Sequence, residues 1–93
     1  MRIEPIALAP VDGVTITTLV DNVTDALLAD DGPVKRAPFA LVTKGEVLRA
    51  EHGFSALVTI TKGSRVTRVL FDSGITPDGL IENMRRLELS PKD

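Results

Sequence analysis

Three short stretches of this sequence carry side chains that could take part in chemistry: Asp21-Asn22, His52-Gly53 and Asp72-Ser73-Gly74. A carboxylate at a strand exit, the position Asp72 occupies, can accept the second ring N–H of a metal-bound histidine, fixing its tautomer and raising its basicity as a ligand. The same carboxylate can instead cap the turn ahead of Gly74. Asp21 and Asn22 end a different strand. Lying beside Asp72, the amide could bond a substrate or hold a loop, and the pair also matches an Asx turn or a helix cap. His52 is the single histidine, and no residue around it would make it the base for a nucleophile. Its roles reduce to positioning a loop, facing a substrate, or capping at the surface. With no cysteine and one histidine, neither a structural nor a catalytic zinc centre can be assembled within these residues.

The elements that must position these groups are legible in part. Val14-Thr15-Ile16-Thr17-Thr18-Leu19-Val20 is dense in β-branched residues and follows the turn pair Asp12-Gly13, which predicts a strand over 14–20. Beyond it, residues 22–28 could form a short helical turn. From 29 to 53 no period emerges, and Asp30-Asp31-Gly32-Pro33, Pro38 and Lys44-Gly45 mark a long loop. It is either a lid or an ordinary excursion with Val47-Leu48 pinned to the body. Two β-branched runs flank Lys62-Gly63-Ser64 and predict an antiparallel hairpin over 55–71. Its apolar end, Val69-Leu70-Phe71, is expected deep in a core. Lys62 and Arg65 read as solvated charges. Thr76-Pro77-Asp78 then supplies a cap, a first-turn proline and an acid for a helix over 77–87. Leu80, Ile81, Met84 and Leu87 form its apolar stripe, with Glu82, Asn83, Arg85 and Arg86 facing away.

Composition narrows the class. Eleven Lys and Arg are scattered among thirteen Asp and Glu, for a net charge of −2. Phosphate binding needs a concentrated basic footprint and stacking aromatics, so nucleic acid is not an expected partner. Glu4, Pro5 and Pro10 interrupt the leading segment, so no apolar export core is visible, and no run approaches the roughly 18 apolar residues of a membrane span. A cytoplasmic setting is the expectation. A chain of 93 residues with no disulfides must be stabilised by packing, yet its aromatic content is three Phe. Ser90-Pro91-Lys92-Asp93 repeats the helix-start pattern of cap, proline and acid, with a frayed polar tail as the other reading. Together with one helix for a sheet of three strands, this points to an α/β (α+β) domain that is incomplete as it stands.

In order and kind, these motifs resemble the metallo-β-lactamase-fold hydrolases, specifically the dihydropterin-ribofuranosylaminobenzene phosphate synthase-like branch. The resemblance is carried by Leu19-Val20-Asp21-Asn22, by Ala50-Glu51-His52-Gly53-Phe54-Ser55, and by Val69-Leu70-Phe71-Asp72-Ser73-Gly74 leading to Thr76-Pro77-Asp78-Gly79-Leu80. It continues through Asn83 and Leu87 to Ser90-Pro91-Lys92-Asp93, covering nearly all of the chain beyond the first dozen residues.

The resemblance implies the N-terminal strands, hairpin and helix of an αββα sandwich. In that family a short strand and a His-x-His-x-Asp-His metal motif come next, and the sequence stops before them. It also implies that Asp72 supports a metal-bound histidine and that His52-Gly53 lies near the site mouth. The metal, zinc foremost, and a small-molecule substrate would belong to the longer protein, and these 93 residues alone would be inactive. The expected partner is the missing C-terminal part of the domain, or a second copy through self-association. A different class stays open beside this one: a small non-enzymatic α/β interaction module completed by oligomerisation or by a partner chain.

Overall fold

β-Branched residues dominate three segments of the chain, and the computed structural model, which describes residues 4–92, pairs all three in one antiparallel sheet of order β1-β2-β3. Strand β1 is Gly13–Val20, β2 is Ser55–Lys62 and β3 is Arg65–Asp72. Helix α1, Ala40–Thr43, lies between β1 and β2, and helix α2, Gly79–Arg86, follows β3. The protein is thus a small α+β fold. The first strand and the hairpin stand where the sequence places them, to within a residue.

Lys62 faces Arg65 across a two-residue turn, and Gly63 takes the left-handed φ of 58° that such turns demand. Asp12 latches this turn: its carboxylate accepts the Gly63 N–H at 2.6 Å, and its own N–H donates to the Thr61 carbonyl at 2.8 Å. From the turn the hairpin register runs without a slip to Ser55 opposite Asp72. Strand β1 pairs with β2 from Gly13 opposite Thr61 to Val20 opposite Ser55, with a bulge that leaves Leu19 as the extra residue. Leu19 and Val20 are both buried.

Cross-strand register divides the sheet into two faces. Rows Thr15–Thr59–Arg68 and Thr17–Leu57–Leu70 share the face where Met84 of α2 closes a small pocket against Leu57 and Leu70. Rows Val14–Ile60–Thr67, Ile16–Val58–Val69 and Thr18–Ala56–Phe71 form the other face, which carries no charge through its centre. Its outer strands are open, with Ile16 64%, Val69 51% and Phe71 55% exposed, while Ala56 at its end is buried. This corrects the expectation that Val69-Leu70-Phe71 lies deep in a core. Leu70 is 43% exposed because β3 is an edge strand and α2 leans instead on β1, and Phe71 is 55% exposed because it lies at the edge of the opposite face.

Helix α2 begins two residues later than the sequence suggests. The N-cap is Asp78 and not Thr76, and no side chain caps the helix: Pro77 and Asp78 form a bend, and Thr76, ahead of it, accepts the Gly79 N–H at its hydroxyl at 3.2 Å. Its inward face is also rotated. Gly79, Asn83 and Met84 are buried, whereas Ile81 is largely exposed. Asn83 is drawn in, against expectation, because the chain presents it with three backbone partners at Leu19 and Arg49.

The excursion between β1 and β2 is less featureless than its composition. Asp31 and Val34 form an isolated bridge, and α1 buries Leu41. Residues 22–28 form no helix; Asp25 accepts the Leu27 N–H at 2.9 Å in a local turn. Val47 is fixed through its carbonyl by Arg86 but leaves its side chain exposed, while Leu48 is half-buried. Ser90 accepts the Lys92 N–H at 3.2 Å, and Asp93, the acid of that terminal pattern, lies outside the described residues, as do 1–3.

Candidate functional site

Antiparallel order brings the end of β1, the start of β2 and the end of β3 into one row, Val20–Ser55–Asp72. Asp21-Asn22 leave the sheet from the first strand, His52-Gly53-Phe54 enter it at the second, and Asp72-Ser73-Gly74 leave it at the third. The three candidate stretches therefore share one end of the sheet, although some 50 residues of sequence separate Asp21 from Asp72.

Asp72 is fixed at a single oxygen. Its Oδ1 accepts the hydroxyl of Ser55, which is fully buried, and the Gly74 N–H at 2.9 Å. The Ser55 hydroxyl, and after it the Gly74 N–H, hold the Asp72 carboxyl below its ordinary range, since both bonds favour the charged form. The flanking loop is stitched to β2. Ser73 donates its N–H to the Phe54 carbonyl at 2.9 Å, and its hydroxyl accepts the Phe54 N–H at 3.1 Å. Gly53, at φ 130°, passes so close to the Ser73 carbonyl that any Cβ would collide with it. Phe54 and Phe71 pack in a tilted pair with ring centroids 6.4 Å apart.

Asp21 is exposed, and its carboxylate accepts the N–H of its own neighbour Asn22 at 2.8 Å, an Asx-type contact. Its carbonyl accepts the Glu51 N–H at 3.0 Å. Asn22 and His52 are exposed at the same end. Among the described residues no group of three or more His, Cys, Asp or Glu is placed to hold a metal ion.

Asn83 is the buried centre beneath this end. Its amide donates to the carbonyls of Leu19 at 2.7 Å and Arg49 at 2.8 Å, and its oxygen accepts the Arg49 N–H at 2.8 Å. One side chain thus joins α2, β1 and the approach to β2. Above it Arg49 makes a two-pronged pair with Asp78, at 3.2 and 3.3 Å, which pulls the Asp78 carboxyl down.

Three residues of this end escape the reading of the sequence: Ser55, Asn83 and Glu51. A signal for Ser55 was present, since counting back along both strands from the Gly63-Ser64 turn sets it opposite Asp72. Asn83 gave none, because a helical Asn reads as a solvent-facing residue until its neighbours are known.

Beside β1 runs an open groove of about 640 Å³, walled by Leu19, Val34, Pro38, Leu41 and Leu48, with Asp21 and Arg49 at its lining. Asn22, His52 and Asp72 do not line it. Among the described residues no helix is long and apolar enough to cross a membrane. No family model, curated protein or solved structure matches this chain.

Proposed function

We propose that this chain is the N-terminal part of a metal-dependent hydrolase of the metallo-β-lactamase fold, acting in the cytoplasm, in which Asp72 supports a metal-bound histidine and Asp21, Asn22 and His52 lie around the mouth. The observation that carries this reading is the Val20–Ser55–Asp72 row, because it gathers at one end of the sheet the three motifs on which the resemblance rests. A carboxylate pre-organised through Oδ1 keeps its charge, which is what an imidazole N–H partner requires. Histidines following this segment would hold zinc, which would lower the pKa of bound water and polarise a small-molecule substrate. The residues of this segment would orient that ligand set and shape its approach.

The open sheet face also supports an unfinished sandwich, since a second layer would bury Ile16, Val69 and Phe71. That observation equally favours the second reading, a non-enzymatic interaction module completed by its own copy or by a partner chain. The two are separated by the intact mass and reading frame of the expressed protein. Continuation past Asp93 into a His-x-His-x-Asp-His segment, with zinc bound and metal lost in an Asp72→Ala chain whose fold stays largely intact, is the hydrolase result. A frame ending at Asp93 and a stable metal-free oligomer would sink it.

A further inference from the structure

Glu51 lies at the centre of this end of the molecule and has no task in the function proposed above. Its N–H is given to the Asp21 carbonyl. Its carboxylate turns under the loop that joins β3 to α2. There Oε2 accepts both the N–H of Thr76, at 3.1 Å, and the Thr76 hydroxyl. Oε1 is buried and has no hydrogen-bond partner among the described residues. It sits instead against two glycines: a Cβ on Gly74 would stand 2.7 Å from it, and one on Gly79 closer still. Neither glycine has a positive φ, so the requirement at 74 and 79 is for space and not for backbone freedom.

A carboxylate held by two donors at one oxygen and stripped of partners at the other persists only where the structure around it fixes its position. The loop is met by Glu51 at its start, its middle and its end. Gly74, at the start, is the residue whose N–H reaches Asp72 Oδ1 at 2.9 Å. Thr76, in the middle, passes the restraint on through the bond its hydroxyl accepts from Gly79.

We propose that Glu51 is the positioning residue of the Asp72 site: clamping residues 74–79 from beneath, it keeps the Gly74 N–H on Asp72, and through its own N–H it ties that loop to the end of β1. Its functional consequence rests on the role proposed for Asp72, whereas the clamp is a matter of geometry in this chain alone. The position demands an acceptor at Oε2 and slender neighbours at Oε1. Glutamine retains the acceptor; alanine abolishes it.

The test is a carbon-detected NMR titration of aspartate carboxyls in the 93-residue chain, alongside amide hydrogen exchange, for wild type, Glu51→Ala, Glu51→Gln and Thr76→Val. The Asp72 midpoint should rise part of the way to its ordinary range in Glu51→Ala and Thr76→Val, the Ser55 bond remaining, and should stay low in Glu51→Gln. Gly74 amide exchange should quicken about fivefold to tenfold in the first two, the equivalent of one lost hydrogen bond. A folded Glu51→Ala with wild-type Asp72 titration and wild-type Gly74 exchange overturns the proposal. If Glu51→Ala does not fold, Thr76→Val decides on the same two readouts. Metal content of a longer chain plays no part in these readouts, so a shifted Asp72 without metal binding removes the hydrolase reading alone, and normal metal binding with an unmoved Asp72 removes this one alone.

Discussion

At the scale of single residues, hydrogen bonds to buried or charged groups decide most of what this end of the molecule can do. Asn83 satisfies three backbone groups from a fully buried position, so Asn83→Ala should lower unfolding free energy by about 2–4 kcal/mol, measured by urea denaturation. Asn83→Asp should not rescue it, since a carboxylate cannot donate to the Leu19 and Arg49 carbonyls. Acid sensitivity follows from Asp72 and Asp78, whose carboxyls are both held below their ordinary range. A depressed folded pKa stabilises fully above the unfolded value, and that contribution is lost as pH falls through the ordinary carboxylate range to the folded value below it. Stability should therefore drop on acidification in that window. Ser55→Ala should flatten the Asp72 part, and added salt the Asp78 part, which rests on an exposed pair with Arg49. A pH–stability curve that Ser55→Ala leaves unchanged would remove Asp72 as a contributor.

At the scale of elements, two glycines that look alike in sequence should respond differently to the same substitution. Gly63 sits in the hairpin turn at φ 58° with open space where a Cβ would go, so Gly63→Ala should cost about 1 kcal/mol of backbone strain. Gly53 combines φ 130° with a backbone carbonyl in the way, so Gly53→Ala should cost about 2–3 kcal/mol or more and loosen the Phe54–Ser73 stitching. Comparing the two by urea denaturation checks this ordering; equal effects would contradict the close approach. The strands and the turn were legible because their signals are local: β-branched alternation and Gly-Ser between two runs. Helix α2 was legible in existence, but its cap is Asp78 and not Thr76, and its orientation was not legible. Its inward face is set by what Asn83 meets across the chain, and such a tertiary partner leaves no trace in helical period. The α1 turn and the Asp31–Val34 bridge were missed for the related reason that four-residue elements carry no period. At the candidate site, the motif positions were readable, while Glu51 and Ser55 acquire meaning only once the sheet register is known.

At the scale of the whole molecule, the radius of gyration is 16.0 Å, against about 12 Å for a compact chain of this length. The accessible surface, 7344 Å², exceeds the about 5,200 Å² typical of a 10.0 kDa protein by about 2,000 Å². A standard interface takes about 800 Å² from each partner, so there is surface enough for one. Self-association of the 93-residue chain is the expected outcome by sedimentation velocity, and Ile16→Lys, in the central row of the open face on edge strand β1, should weaken it while changing monomer stability little. A monomer at all concentrations would contradict this. The Asp12 latch on the hairpin turn has a further consequence, in time and not in space. Strands β2 and β3 are neighbours in sequence and can zip in about 1–10 μs, whereas β1 must first close the loop of residues 21–54 to find β2. Asp12 can grip Gly63 only after that closure, so the latch is a late event and the hairpin an early one. Ser55 and Asp72 then meet before Asp21 arrives, and half of this end of the protein is assembled by local folding alone.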